Sequence, residues 1–186
     1  EKDKAGGRCL NYACIPAKAV LHTAEVFAQM QEEGSDLGVK ASGVAIDWPA
    51  VQTRRARVSK TLEDGVAFLW NKNKVDFLKG EGSLAGGGKV KVGSDEHEAK
   101  AIVLATGSVA LSIPGIDFSE RVIDTWEAWS LEKMPKTLVV AGAGASGAEI
   151  ASGYARMGVE VTLVEMLDQL LPLEDKDMAR VVERQF

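Results

Sequence analysis

Three features of the 186-residue sequence predict an α/β fold. A glycine-rich turn, Gly142-Ala-Gly144-Ala-Ser-Gly147, separates an apolar strand-like run from a helical stretch, and another strand-like run follows. Two stretches with helical apolar spacing occupy much of the first 70 residues. Between these regions the period shortens to that of strands, with glycines as punctuation.

In chain order, IPAKAVLHTAEVFAQM (15–30) carries apolar residues at helical spacing, with Pro16 tolerable in a first turn and Gly34 as a stop. A second helix is predicted over Trp48 to Trp70, with Gly65 a weak point inside it. VDFLKGEGSL, KVKVG and HEAKAIVLATG read as a small β-meander whose last member is a fully buried apolar strand, and Ala85 to Gly88 form a turn. Residues 121–135 read as a connection between two domains. TLVVAGAGASGAEIASGYARMGVEVTLVEM then gives strand, glycine turn, helix and strand, one βαβ unit, and LPLEDKDMARVVERQF begins a further helix. One βαβ unit cannot bury both faces of a parallel sheet, so the sequence reads as a fragment cut inside a domain.

Composition narrows the class. With 46% hydrophobic and 26% charged residues the chain is an ordinary globular one, not disordered or collagen-like. The net charge of −5 argues against nucleic acid or an anionic membrane as partner. Arg54, Arg55 and Arg57 read as a solvated helix face. No run reaches the apolar length of a membrane helix, and EKDKAGG is too charged for a signal peptide, so a soluble, unsecreted protein is expected.

Two sites carry chemistry. In the glycine motif, Gly142 makes the tight turn, Gly144 lets backbone approach a pyrophosphate, and Gly147 lets helix pack on strand. The helix N-terminus faces the negative charge. Glu165, 18 residues beyond Gly147, ends the next strand and is placed to accept from a ribose 2′-hydroxyl. A carboxylate there repels a 2′-phosphate, favouring NAD over NADP. The other site is Cys9 and Cys14 in GGRCLNYACIPAKAV. In an ideal helix these positions rise about 7.5 Å and diverge, so they can pair only if the segment between them is irregular. The following helix end lowers a thiol pKa. Zinc is the rival reading, but four ligands are wanted, and the two histidines, His22 and His97, lie in unrelated contexts. No metal is expected.

GGRCLNYACIPAKAVLH resembles the redox-active segment of the pyridine nucleotide-disulfide oxidoreductases, in the form found in dihydrolipoamide-oxidising members. AIVLATGS (101–108), followed by Ile113-Pro114-Gly115, is similar to the family's second flavin-contacting motif, and GAGASGAE to its NAD fingerprint. The resemblance covers nearly the whole chain. It implies two Rossmann-like nucleotide-binding domains, for FAD and NAD, both incomplete here. Residues 1–120 would form a partial FAD-binding domain with the redox disulfide and the β-meander, and 121–186 the connection and a partial NAD-binding domain.

Residue by residue, the resemblance implies that Cys14 lies against the flavin, its thiolate forming the charge-transfer pair, while Cys9 exchanges with the substrate disulfide. Lys18 would sit near flavin N5 as a buried cation, paired with Glu149. Glu1 would hold the FAD ribose, with Gly6, Gly7, Arg8, Gly82, Thr106, Gly107 and Ser108 also contacting cofactor. Gly142, Gly144, Ala145, Ser146, Gly147, Glu149 and Glu165 would serve the nucleotide side. A preceding FAD fingerprint and a C-terminal interface domain with its His-Glu pair would lie outside the sequence, and neither His22 nor His97 matches that pair. Arg8, Ala13 and Ala17 depart from the family's usual small residue or threonine, glycine, and serine or lysine.

The activity implied is oxidation of dihydrolipoamide to lipoamide by NAD through FAD. The protein would be a homodimer serving the lipoyl domains of 2-oxo acid dehydrogenase complexes, in the cytoplasm or, in a eukaryote, the mitochondrial matrix. Alternatives are a reductase for another disulfide or for mercuric ion, or a redox-silent nucleotide-binding scaffold.

Overall fold

Helix α1 (Gly7–Tyr12) is the first regular element and is followed at once by α2 (Cys14–Ala28). The computed structural model describes residues 1–33 and 38–186. Helix α2 buries Pro16, Ala17, Val20 and Ala24, the one-face spacing that its sequence predicts, and runs into a π-helical turn, Gln29–Glu33. The expected stop at Gly34 lies outside the described residues.

Helix α3 (Trp48–Lys72) starts where Asp47 accepts from the Ala50 N–H at 3.1 Å, with Pro49 in its first turn. It passes through Gly65 without a break. Three exposed antiparallel strands follow, β1 (Gly82–Gly86), β2 (Lys89–Val92) and β3 (Asp95–Glu98), in the order β1-β2-β3. After a short α4 (Thr125–Trp129), the βαβ unit comprises β4 (Thr137–Ala141), α5 (Ala145–Arg156) and β5 (Glu160–Val164). Its strands are parallel, Thr137 opposite Glu160 and Ala141 opposite Val164. Helix α6 (Lys176–Glu183) is capped by Asp175.

One buried cluster joins the helices to the βαβ unit. Val20 and Ala24 of α2, Trp48 and Val51 of α3, Trp129 of α4, and Ile150 and Tyr154 of α5 all belong to it. Tyr154 is fully buried, stacks on Trp129 at 6.1 Å, and donates its hydroxyl to the Ala128 carbonyl. Burial raises its pKa well above the ordinary tyrosine value. Trp48 Nε1 donates to the Leu131 carbonyl at 2.9 Å.

Several expectations are corrected. Residues 101–108 are not a buried strand: Val103 is 88% and Leu104 68% exposed, and no strand among the described residues lies beside them to complete a ladder. The first strand of the meander begins only at Gly82; the preceding stretch instead bonds to the N-terminal segment, Gly80 N–H donating to the Glu1 carbonyl at 3.0 Å. The connection contains α4, whose Asp124/Glu127 capping box fixes its start and whose Trp129 enters the core. The arginine cluster is not uniformly solvated. Arg54 donates to the Ala19 carbonyl at 2.7 Å and Arg55 to Gln52 Oε1, burial lowering the Arg55 pKa, while Arg57 alone is exposed.

Two glycine substitutions test this packing by chemical unfolding. A Cβ on Gly147 would stand 1.8 Å from the Gly142 carbonyl oxygen, a backbone atom held by the turn. Gly147→Ala is expected to destabilise by about 1–3 kcal/mol. A Cβ on Gly65 meets nothing within 4 Å. Gly65→Ala is expected to stabilise by about 1 kcal/mol through helix propensity; destabilisation would show that α3 needs the glycine.

Candidate functional site

The cysteine segment is shaped by its backbone. Gly6 has φ +92°, and a Cβ there would meet Leu10 Cδ1 at 2.5 Å, so the turn into α1 requires glycine. Buried Asn11 closes this turn by donating through Nδ2 to the Ala5 carbonyl at 2.7 Å and the Gly7 carbonyl at 3.0 Å. Ala13 then breaks the helix at φ −128°, ψ −93°. That break brings the Cα atoms of Cys9 and Cys14 to 4.8 Å, and the two form a disulfide. Both cysteines are exposed. The negative φ at Ala13 accommodates alanine, and Ala17 is buried in the core cluster, where a longer polar side chain would have no room.

Cys14 is the first residue of α2, whose N-terminus has no side-chain cap. A thiolate released there meets unpaired N–H groups and the positive end of a four-turn helix. One turn on, Lys18 Nζ donates to Glu149 Oε1 on α5, across 131 positions of sequence. Lys18 is not the buried cation expected: its side chain is 59% and that of Glu149 36% exposed, because the pair stands at the rim of the α2–α5 contact. The contact is set below them, where Leu21 fills the notch left by Gly153; a Cβ on that glycine would meet Leu21 Cδ2 at 2.8 Å. A cleft of about 570 Å³ beside the pair is lined by His22, Ala145, Ser152 and Arg156 among others.

Arg8 reaches the N-cap residue of α4. Its Nη2 lies 3.9 Å from Asp124 Oδ2, with side chains only 25% and 16% exposed. Tyr12 packs edge-on against Trp126 at 4.6 Å and donates its hydroxyl to Asp3. Burial, then the Asp3 bond, pushes the Tyr12 pKa up to about 12, so it stays protonated and is no general base near neutrality.

In the glycine motif, Gly142 has φ +97° and its N–H extends the β5 ladder to the Val164 carbonyl at 2.8 Å. The Gly147 approach to Gly142 described above brings α5 down on the strand. No atom lies within 4 Å of a Cβ built on Gly144, and α5 has no side-chain cap at its start. Ala145 and Ser146 therefore present an open helix end, which fits a dinucleotide pyrophosphate. Glu165 closes the other side: Oε2 accepts from Ala143 N–H at 2.7 Å, and Oε1 from Met166 and Leu167 N–H at 2.8 and 3.0 Å. The Ala143 bond first, and its two neighbours, lower the Glu165 pKa. A carboxylate offers about four acceptor sites, so one remains for a ribose hydroxyl.

The residues assigned to the flavin side are less closely assembled. Gly7, at φ +67°, is open for close backbone approach, which fits a bound phosphate group. The Glu1 carboxylate accepts from Asp3 N–H at 2.7 Å. Gly82 lies in β1 opposite Val92, and Thr106, Gly107 and Ser108 belong to the exposed 101–108 segment. His22 lies 3.4 Å from Glu25 Oε2 on its own helix, and His97 is exposed on β3. Among the described residues no group of three or more His, Cys, Asp or Glu could hold a metal, and no helix is long and apolar enough to cross a membrane.

Asn11 suits the irregular turn between the cysteines, as its residue type suggests, whereas the sequence does not mark Asp124 and Trp126 as parts of the site. The D-x-x-E spacing of Asp124 and Glu127 was a readable helix-start signal. Nothing local marks Asn11 as buried or Asp124 as the partner of Arg8.

Comparison with known proteins agrees with this geometry. Residues 3–186 match the family model described as pyridine nucleotide-disulphide oxidoreductase. The whole chain is 39% identical to a dihydrolipoyl dehydrogenase of Chlamydia pneumoniae, covering 41% of it, and 35% identical to one of Bacillus subtilis, covering 42%. It thus spans about two fifths of the length of these relatives. The crystal structure of LpdA from Mycobacterium tuberculosis superposes with a TM-score of 0.89 at 26% identity, over 100% of this chain and 42% of that one. The HOCl-induced flavoprotein disulfide reductase RclA from Escherichia coli superposes at 0.78, also 26% identical, over 100% and 40%. With its Cys9–Cys14 disulfide, its glycine fingerprint and this match over nearly its full length, the chain belongs to the pyridine nucleotide-disulphide oxidoreductase family.

Proposed function

We propose that this chain carries the thiol and nucleotide centres of a flavin-dependent dihydrolipoamide:NAD oxidoreductase. The observation that carries the reading is the Cys9–Cys14 disulfide at the head of α2, one turn from a lysine paired to the fingerprint helix. In this reading residues 1–120 serve FAD and 121–186 serve NAD.

A dithiol substrate attacks Cys9 as its thiolate, forming a mixed disulfide and expelling Cys14 as thiolate. The second substrate thiol then closes the substrate disulfide and releases Cys9, so two thiols are oxidised and one protein disulfide is reduced. Cys14 is the better leaving group because the helix N-terminus stabilises its anion. FAD, when bound, supplies the passage of the electron pair from the thiols to nicotinamide. Lys18 places a positive charge where negative charge develops, and Glu149 holds its ammonium in position. Gly142, Gly144 and Gly147 give the pyrophosphate its approach, and Glu165 accepts from the ribose. Support for lipoamide as substrate, and for a homodimer acting on lipoyl domains in the cytoplasm or mitochondrial matrix, comes from the names of relatives such as dihydrolipoyl dehydrogenase 2, mitochondrial, of Arabidopsis thaliana, 37% identical.

Cys9→Ser or Cys14→Ser in the FAD-loaded protein should abolish NAD reduction by dihydrolipoamide; retained turnover would remove the disulfide from the mechanism. Lys18→Met should slow flavin reduction by on the order of 10²-fold, the scale for loss of one preorganised charge donor. Because the ion pair is exposed, the same variant should lose less than about 1 kcal/mol of stability. The reverse pattern, stability lost and rate kept, would make Lys18 a packing residue. NAD should be preferred to NADP by at least about tenfold in kcat/KM, roughly 1.4 kcal/mol, and Glu165→Gln should narrow that ratio. Equal specificity constants in the unmodified protein would remove the role given to Glu165.

A further inference from the structure

Opening the Cys9–Cys14 bond removes the covalent link across the Ala13 break. Helix α1 has six residues, too few to persist on its own backbone bonds. Its position after reduction depends on side chains. Asn11 ties α1 to its own entry turn, α1 also lies against α2 and α3, and two side-chain contacts reach further to α4: Tyr12 against Trp126, and Arg8 against Asp124. The ion pair is half-buried, hence screened less than the more exposed pairs of this molecule. Asp124 is fixed, because its other oxygen accepts from Glu127 N–H at 2.9 Å, and α4 is anchored by the buried Trp129.

We propose that Arg8 and Asp124 form a latch that holds α1 on α4 while the disulfide is open, making Arg8 a positioning residue for Cys9. The proposal rests on the reading of Cys9 and Cys14 as a redox pair. A latched Cys9 stays close to Cys14, so its effective concentration toward that sulfur is high and reclosure is favoured; an unlatched one explores a larger volume. Against glutathione, the protein disulfide and two glutathione thiols exchange for the protein dithiol and one glutathione disulfide. One S–S bond breaks, one forms, and two thiol protons pass to Cys9 and Cys14.

The test is equilibration of the protein in a series of glutathione buffers, followed by acid quench, alkylation and mass analysis of the two cysteines. Arg8→Met and Asp124→Asn should each shift the equilibrium toward dithiol by about tenfold, equivalent to about 30 mV. Asparagine keeps the helix cap, so the second variant removes the charge and leaves α4 capped. The double variant should shift no further than either single one, and Arg8→Lys should recover part of the effect. Ile150→Val, a core change on α5 away from α1, should leave the ratio unchanged. An unchanged ratio in Arg8→Met and Asp124→Asn, additive shifts, or an equal shift in Ile150→Val would overturn the latch while leaving the redox pair standing. Cysteines that never interconvert in any buffer would overturn the latch and the redox reading together.

Discussion

The crossing of α2 over α5 is the constraint on which the rest of the site depends. Leu21 of α2 occupies the space that Gly153 of α5 leaves free, and the two helices approach closely there. Lys18 lies one turn before Leu21 and Glu149 one turn before Gly153, so the same contact that seats the helices brings the ammonium to the carboxylate. Cys14 is a further turn back on α2, and Gly147 lies two residues before Glu149. The cysteine segment and the glycine motif are thereby placed at fixed separation by helix geometry, about 1.5 Å per residue along each axis. Relative magnitudes show which interaction holds the crossing. Each large apolar side chain buried in the cluster contributes about 1.5–3 kcal/mol. An exposed ion pair contributes about 0–1 kcal/mol. Packing fixes the frame, and the Lys18–Glu149 pair is left available for electrostatic work.

The glycine motif follows the same logic on a smaller scale. Gly147 must let the Gly142 carbonyl approach, or α5 could not descend on β4 and its start would not point at the open side of Gly144. Glu165 completes the turn from across the sheet by binding the Ala143 N–H, so the acid expected to recognise a ribose also orders the loop proposed to receive the pyrophosphate. Its depressed pKa has the same origin, since the Ala143 N–H first, and those of Leu167 and Met166, favour the charged form.

The sequence was most legible where local pattern and tertiary packing agree. The βαβ unit, the two long helices and the meander announce themselves by period, and the cysteine and glycine motifs by spacing. The failures have physical causes. AIVLATGS has the composition of a buried strand, yet a strand exists only beside a partner, and none stands next to 101–108 among the described residues. Gly65 costs too little to interrupt α3, so it left no mark on the helix. Arg54 looked solvated because its neighbours are cationic, but its long side chain reaches the Ala19 carbonyl of another helix. The Arg8–Asp124 contact joins positions far apart in the chain, and no local pattern encodes it. Lys18 and Glu149 are also far apart in sequence; only resemblance to relatives connected them in advance.

The central claim is that Cys9 and Cys14 relay electrons from a dithiol toward a nucleotide held at the α5 fingerprint. It is tested most directly by an anaerobic absorbance titration of the FAD-loaded protein with dihydrolipoamide, then NAD, with the thiols counted by alkylation at each step. The account predicts that dihydrolipoamide opens the Cys9–Cys14 disulfide with release of lipoamide and long-wavelength thiolate–flavin absorbance, and that NAD then closes it with release of NADH in an amount equal to that lipoamide. A disulfide that stays closed while the flavin is reduced, or thiols that stay open after NAD is added, would contradict it.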